Sequence, residues 1–367
     1  MLPLRYGIIG SGMMGQEHIR NIALLEGARV TAVADPDETM RARAARLAGA
    51  ETQSFGSHED LLSAGLADVL VIASPDQTHG TILVDALASG LPILVEKPLC
   101  TTVEDCRKVV ALAQGRRAPV WVAMEYRYMP AIARLRVELG KGTAGRLRML
   151  SIREHRFPFL DKVGDWNRFA RNTGGTLVEK CCHFFDLMRL LIGAEPWRVY
   201  ASGGQDVNHL EERYHGEIPD IIDNAMVIVD FDNGVRAALD LCMFAEGDYY
   251  QEHIAAVGDL AKIEALVPAP PRFWPEGATR EAELIVSPRR SKRPQRETVA
   301  VAEHLRAAGD HHGSTYYQHL GFARVIRDGG SPEVTLEDGV IAVEMGAAAE
   351  QSIRTGQPVF LGPAKSV

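Results

Sequence analysis

The segment Tyr6-Gly7-Ile8-Ile9-Gly10-Ser11-Gly12-Met13-Met14-Gly15 constrains the fold of this 367-residue chain more than any other. A short apolar run leads into G-x-G-x-x-G and then into a helical pattern, the strand–turn–helix of a phosphate-binding loop. Each glycine has its own task. Gly10 makes the tight turn, Gly12 lets the backbone approach a pyrophosphate, and Gly15 lets the helix pack close to the strand. The phosphates would sit on free N–H groups at the helix N-terminus, around Met13 and Met14, where the dipole favours negative charge.

An acid stands at the right remove. Asp35 ends the run Arg29-Val30-Thr31-Ala32-Val33-Ala34, 20 residues past Gly15. A carboxylate there accepts hydrogen bonds from ribose hydroxyls and repels a 2′-phosphate. Pro36 and Asp37 follow it, so no adjacent Arg or Lys is ready for that phosphate. The expected cofactor is NAD rather than NADP.

The first third of the chain alternates strand and helix. Strands are expected near 4–9, 29–34, 68–73, 92–96 and 120–123, with helices near 13–26, 36–48, 78–89 and 102–114. That rhythm predicts an α/β, doubly wound parallel sheet over residues 1–124. Ligands bind such sheets beyond the carboxyl ends of the strands. Two polar loops lie there, Ser74-Pro75-Asp76-Gln77-Thr78-His79 and Glu96-Lys97-Pro98. Ser74, Pro75, His79, Glu96 and Lys97 are accordingly candidate cofactor contacts.

Past residue 124 the pattern changes. A strand is expected over 146–157 and a helix over 175–192. Residues 225–231 and 235–243 flank Asp232-Asn233-Gly234, a hairpin signal, and 251–257 and 261–266 flank a second turn. The stretch 267–296, rich in Pro and Arg, reads as a long exposed loop. Helices near 315–328 and 337–354 follow. Residues 125–367 are thus expected to form an α+β domain with an open, mostly antiparallel sheet, for substrate binding and oligomerisation. The late helices are free to pack back on the first domain.

Composition narrows the partners. A hydrophobic content of 46% supports a sizeable core. The formal net charge of -8 argues against nucleic acid. The chain opens on a strand and a phosphate loop rather than a signal peptide. No apolar run approaches the ~20 residues of a membrane span. The five cysteines lack paired C-x-x-C spacing, which suits reduced thiols in a cytoplasmic protein.

The chemistry is carried by three residues. Glu179 and His183 are four apart on a predicted helix and share a face. A carboxylate beside an imidazole is a general-base arrangement, the acid orienting the ring and the ring taking a hydroxyl proton. Lys97 would project from a strand end, where its ammonium can hydrogen-bond a reacting hydroxyl and stabilise developing alkoxide. Burial beside a positive nicotinamide would lower its pKa. Together they suit removal of an O–H proton as a C–H hydride leaves. A metal site from His311, His312 and His319 is not expected, because no nearby Cys or carboxylate completes a zinc-like set.

Glu96-Lys97-Pro98 behind an N-terminal G-x-G-x-x-G resembles the Gfo/Idh/MocA oxidoreductases. So does Gly174-Gly175-Thr176-Leu177-Val178-Glu179-Lys180-Cys181-Cys182-His183-Phe184-Phe185-Asp186, which is similar to the family form G-G-G-x-x-x-D-x-x-x-H-x-x-D. The resemblance spans essentially the whole chain. It implies a Rossmann domain, NAD, a sugar or polyol substrate, Lys97, Glu179 and His183 in catalysis, and sheet-to-sheet homodimers or homotetramers. Glu179 stands where the family usually has Asp, and Lys180 beside it is also unusual. Glu125-Tyr126-Arg127-Tyr128 aligns with the family's Asn-Arg-Arg-Phe stretch. Arg127, Arg153, His155, Trp166, Arg168, Lys180, His312 and Tyr316 are candidate substrate contacts. The leading expectation is a dehydrogenase acting on a ring hydroxyl. The second is an NAD-dependent glycoside hydrolase working by oxidation, elimination, hydration and reduction. Its substrate would include an anionic sugar such as a sulfoquinovoside, given the basic residues Arg153, Arg156, Arg168, Arg171 and Lys180. A non-catalytic NAD-binding regulator is the third.

Overall fold

The computed structural model describes residues 3–275, 278 and 280–362. Positions 276, 277 and 279 of the expected loop lie outside the described residues, as do the chain ends. The chain divides into two compact units. One comprises Met1–Tyr128, Lys162–Gly164 and Ala302–Val343; the other comprises Met129–Asp161, Asp165–Val301 and Glu344–Val367.

The first unit is built on six strands: β1 (Leu4–Ile9), β2 (Ala28–Ala34), β3 (Gln53–Phe55), β4 (Val69–Ile72), β5 (Ile93–Val95) and β6 (Val120–Val122). All pair in parallel in the order β3-β2-β1-β4-β5-β6. Strand order reverses beside β1, which opens a crevice at the strand carboxyl ends where the phosphate loop lies. Central strands are apolar throughout because helices cover both faces: every residue of Val69–Ile72 is wholly buried. Short polar side chains start the covering helices. Asp37 accepts from Met40 N, Ser57 from Asp60 N, and Thr102 from Asp105 N. The edge strand β3 was not expected; at three residues, Gln53-Ser54-Phe55, it has no period to read. The helix Ser314–Asp328 belongs to this unit and seats Phe322 against Trp121, with ring centroids 5.7 Å apart.

Among the described residues the second unit holds nine strands. They are β7 (Leu147–His155), β8 (Pro196–Gly204), β9 (Asn224–Phe231), β10 (Arg236–Cys242), β11 (Glu252–Gly258), β12 (Ala261–Val267), β13 (Ala282–Pro288), β14 (Gln295–Val299) and β15 (Val359–Phe360). Their order is β14-β13-β12-β11-β7-β10-β9-β8-β15, antiparallel except for β7 with β10. The β9–β10 hairpin turns through Gly234 at φ +85°. Part of the expected loop 267–296 is strand, chiefly Ala282–Pro288. β13 pairs with β12 and β14, Leu284 packing inward while Pro288 and the arginines beyond it mask the pattern. The expected helix 175–192 is two pieces, Thr176–Glu179 and Cys182–Ile192, with a turn at Lys180 and Cys181.

Candidate active site

The loop Gly10–Gly15 has the shape its sequence predicts. Gly10 lies at φ +93°, and a Cβ there would come within 2.4 Å of Ser74 N. A Cβ on Gly15 would fall 2.0 Å from the Gly10 carbonyl oxygen. A Cβ on Gly12 would meet nothing within 4 Å. Two glycines therefore close the turn, while the third fronts open space at the N-terminus of the helix Met13–Ile22. Ser11 Oγ is buried with no hydrogen-bond partner among the described residues. Open space at Gly12, unpaired N–H groups and a spare hydroxyl fit a dinucleotide pyrophosphate.

Asp35 sits against that loop. Its carboxylate accepts from Ser11 N at 2.6 Å and from Asp37 N at 2.9 Å. Arg41 was not foreseen here. Its guanidinium donates to the Asp35 carbonyl at 2.7 Å, so a cation does stand near Asp35, brought back by the first turn of the next helix.

Two loops meet at the ends of β4 and β5. His79 is wholly buried, with its ring nitrogens 2.8 Å from the Pro98 carbonyl and 3.0 Å from the Ser74 carbonyl. It ties the two loops together, so its nitrogens face backbone rather than an open groove. Glu96 is also buried; its Oε2 takes the Lys97 N–H at 3.3 Å, and its Oε1 lies 2.9 Å from His18 Nε2. His18 Nδ1 is in turn 2.8 Å from His319 Nε2. Burial raises the Glu96 pKa, but the His18 hydrogen bond, together with the charges of His18, Lys97 and His311, outweighs it and holds the carboxyl below its ordinary value.

A second buried group corrects the expectation about His311. Carboxylates do stand beside it: Glu17 Oε1 is 2.8 Å from Nδ1 and Glu125 Oε1 is 3.5 Å from Nε2. Thr315 Oγ1 donates to Glu125 at 2.5 Å and lies 3.1 Å from Glu17. Two carboxylates and an imidazole are donor types of a divalent-metal site, their ligand atoms within 4.8 Å of one another. Here the imidazole itself supplies the positive charge. Burial lowers its pKa, yet Glu125 and Glu17 together lift it to about 10. These contacts were hidden because Glu17, Glu125 and His311 are far apart in sequence. The one available signal was Gln16-Glu17-His18 on a helix whose neighbours Ile19 and Ile22 are core.

In the second unit, Glu179, Lys180 and His183 are buried around the turn between the two short helices. Gly175, at φ +99°, starts the first of them and packs on Glu350. Lys180 Nζ is 2.8 Å from Glu154 Oε1. Glu154 and Glu252 face each other across β7 and β11, on the sheet's inner side. Burial, with Glu154 beside it, lifts Glu252 to about 7, and burial lowers Lys180.

The remaining candidates scatter. Arg153 and His155 lie on the other face of β7 from Glu154, paired with Asp248 at 3.0 Å and Asp240 at 3.2 Å. Arg168 is buried between Asp161 at 2.8 Å and Glu212 at 2.9 Å. Arg171 meets Glu217 at 2.6 Å, and Arg156 meets Glu154 at 3.5 Å. The basic residues expected to attract an anion are therefore each matched by a carboxylate. Trp166 is half-buried in a 3-10 turn. In the first unit, Arg127 donates to the Glu333 carbonyl at 2.7 Å and faces Asp338 at 3.5 Å. His312 is buried at φ +53°, and Tyr316 is half-buried on the following helix. No helix among the described residues is long and apolar enough to cross a membrane.

Comparison with known proteins agrees with this fold. The Gfo/Idh/MocA profile described as an oxidoreductase family with an NAD-binding Rossmann fold matches residues 4–124. Its C-terminal alpha/beta domain profile matches residues 138–361. The chain is 29% identical to the rhizopine catabolism protein MocA of Rhizobium meliloti, over 75% of this chain and 80% of that one. It is 32% identical to inositol 2-dehydrogenase 2 of Saccharopolyspora erythraea, over 73% and 75%. A levoglucosan dehydrogenase solved with NADH shares the fold, with a TM-score of 0.82 at 22% identity, covering 98% of this chain and 99% of that one.

Proposed function

Because the chain belongs to the Gfo/Idh/MocA family of NAD-binding oxidoreductases, we propose that it oxidises a ring hydroxyl of an uncharged polyol or sugar. NAD, when bound, accepts the hydride. One observation carries the reading: a lysine follows β5 beside the phosphate loop's sheet, and the second unit buries a carboxylate and an imidazole four residues apart. Relatives named inositol 2-dehydrogenase and a structural neighbour named levoglucosan dehydrogenase support a ring-hydroxyl substrate.

In this reading His183 takes the hydroxyl proton and Glu179 orients the imidazole. Lys97 donates a hydrogen bond to the same oxygen and stabilises its developing charge. Glu179 reaches one methylene further than the family's usual Asp. The paired state of Arg153, Arg156, Arg168, Arg171 and Lys180 supports a neutral substrate over an anionic one, since an added anion would have to displace a carboxylate.

The test is a panel of inositols, levoglucosan, uronic acids and aryl glycosides with NAD, read by NADH absorbance and by aglycone release. NADH formation with a neutral polyol is expected. On that substrate, Lys97→Ala and His183→Ala should each lower kcat by roughly a hundredfold or more while NAD affinity changes little. Aglycone release without net NADH would replace this reading with the glycosidase one. Normal turnover by either variant would remove the assigned residue.

A further inference from the structure

Among the basic residues expected to attract an anion, Lys180 is the one inside the segment assigned to catalysis, one residue past Glu179 and three before His183. Its surroundings are unlike those of the others. Arg168 and Arg171 pair with Asp161 and Glu217, which are exposed to solvent. Lys180 is buried, and its Nζ lies 2.8 Å from Glu154 Oε1. Glu154 on β7 is the direct cross-strand partner of Glu252 on β11, and neither is more than 1% exposed. Two acids placed opposite each other on one face repel, and little water is there to screen them. Gln251 donates from Nε2 to Glu252 Oε1 at 2.5 Å, which fixes that carboxyl. The ammonium of Lys180 supplies the charge that offsets Glu154.

We propose that Lys180, Glu154 and Glu252 form a charge selector, which sets the preference among neutral, anionic and cationic ring substrates. The inference rests on the ring-hydroxyl reading above and names the groups behind its neutral preference. A buried charge is felt at a distance, because protein screens it less than water does. As built, the ammonium and the Glu154 carboxylate cancel, so a neutral polyol meets little net field from them. An anionic substituent is drawn to Lys180 but opposed by the acids, and an ammonium substituent meets the reverse. Removing either half leaves the other uncompensated and turns the preference toward the opposite charge.

The two acids have to be changed together. Burial and the Glu154 charge hold Glu252 at about 7. Without Glu154 it ionises more readily and can offset Lys180 in its place. Arg156 approaches the same Glu154 oxygen at 3.5 Å, with its guanidinium 4.2 Å from the centre of the Phe157 ring. It stays in every variant below, so a difference between variants is not its work.

The test measures kcat/KM for glucose, glucuronate and glucosamine with NAD, or Ki against the best polyol substrate where a sugar is not turned over. Each sugar is its own reference across the variants. In Lys180→Met, glucosamine should gain on glucose by about tenfold or more, and glucuronate should lose ground. In Glu154→Gln/Glu252→Gln both shifts should reverse. The triple variant, with all three substitutions, has no charge left in the selector and should return both ratios to wild-type values. A merely structural role lowers all three sugars alike. Should the glutamine pair fail to fold, Lys180→Met and the triple variant complete the comparison. Unchanged ratios, shifts of one sign in both variants, or shifts that survive in the triple variant overturn the inference. A wild type that oxidises no ring hydroxyl and binds none of the three sugars would instead overturn the functional reading, and the selector with it.

Discussion

We propose that Asp35 sets the cofactor preference. Its carboxylate is anchored by two backbone N–H groups, which fixes it beside the glycine loop. Arg41 stands ready behind it, bonded to the Asp35 carbonyl. Wild type is therefore expected to bind NAD more tightly than NADP. Asp35→Ala should narrow that gap, because the repulsion goes and Arg41 can turn to a 2′-phosphate. In Asp35→Ala/Arg41→Ala the gain in NADP affinity should shrink. Calorimetry with both nucleotides decides it; tighter NADP binding by wild type would sink the preference. His311 makes a second residue-scale prediction. Burial lowers its pKa, but Glu125 and Glu17 outweigh burial and raise it from 6.5 to about 10. A raised folded-state pKa contributes stability that is complete below the unfolded value and is lost as pH climbs through the folded one. Glu17, also buried, is drawn down from 4.5 to about 2 by His311, so its share is complete above 4.5 and lost toward pH 2. The Tm difference between wild type and His311→Gln should be largest near pH 6 and close toward pH 10. A difference that stays constant over that range would show that the ion pairs do not carry it.

The phosphate loop is the element whose sequence and geometry agree most closely, and its glycines separate folding from binding. Gly15→Ala puts a Cβ 2.0 Å from the Gly10 carbonyl and should lower the Tm of the cofactor-free protein. Gly12→Ala meets nothing within 4 Å at an ordinary φ of -68°, so its cofactor-free Tm should match wild type. NAD binding should weaken at least tenfold, because the added methyl occupies the pyrophosphate's approach. A Gly12→Ala enzyme with wild-type NAD affinity would show that the pyrophosphate lies elsewhere. The placement of these residues was legible because spacing alone encodes it: glycines at fixed offsets, an acid at the end of β2, a lysine after β5. Elements that depend on tertiary pairing were not. β14, Gln295–Val299, is exposed along four of its five residues and gains its identity only from β13 beside it. The break at Lys180 and Cys181 was equally hidden, since the helical period runs straight through it. Arg153 and His155 looked close to the catalytic segment in sequence, but alternation along β7 sends them to the face opposite Glu154. The His18, His319 and Glu96 chain joins three segments up to 301 positions apart, a distance no motif spans.

At the scale of the molecule, the outer face of the second unit's sheet is the feature without a covering layer. Tyr200, Ile228 and Ala238 stand in one row across β8, β9 and β10. Tyr200 and Ile228 are 43% and 51% exposed, with Met226 at 60% and Met149 at 58% on the same broad surface. Alternation along β9 and β10 puts Met226, Ile228 and Ala238 on this face, while Leu241, three residues from Ala238, points inward, 2% exposed. Exposed apolar side chains in a row of this kind are costly to leave in water, at about 25 cal/mol for each Å². A sheet face is also self-complementary under two-fold symmetry: the row that stacks on a partner is the row the partner presents. We therefore propose that two copies join through this face, as the family resemblance implies. A charge at its centre, Ile228→Glu, would be buried opposite its own symmetry mate, and like charges so placed oppose assembly. Light scattering at micromolar protein should give a dimer or tetramer mass for wild type. The Ile228→Glu variant should lose one two-fold step, a tetramer falling to dimers or a dimer to monomers, while its circular dichroism stays unchanged. A monomeric wild type, or a variant with undiminished mass, would mean that this face is not where copies meet.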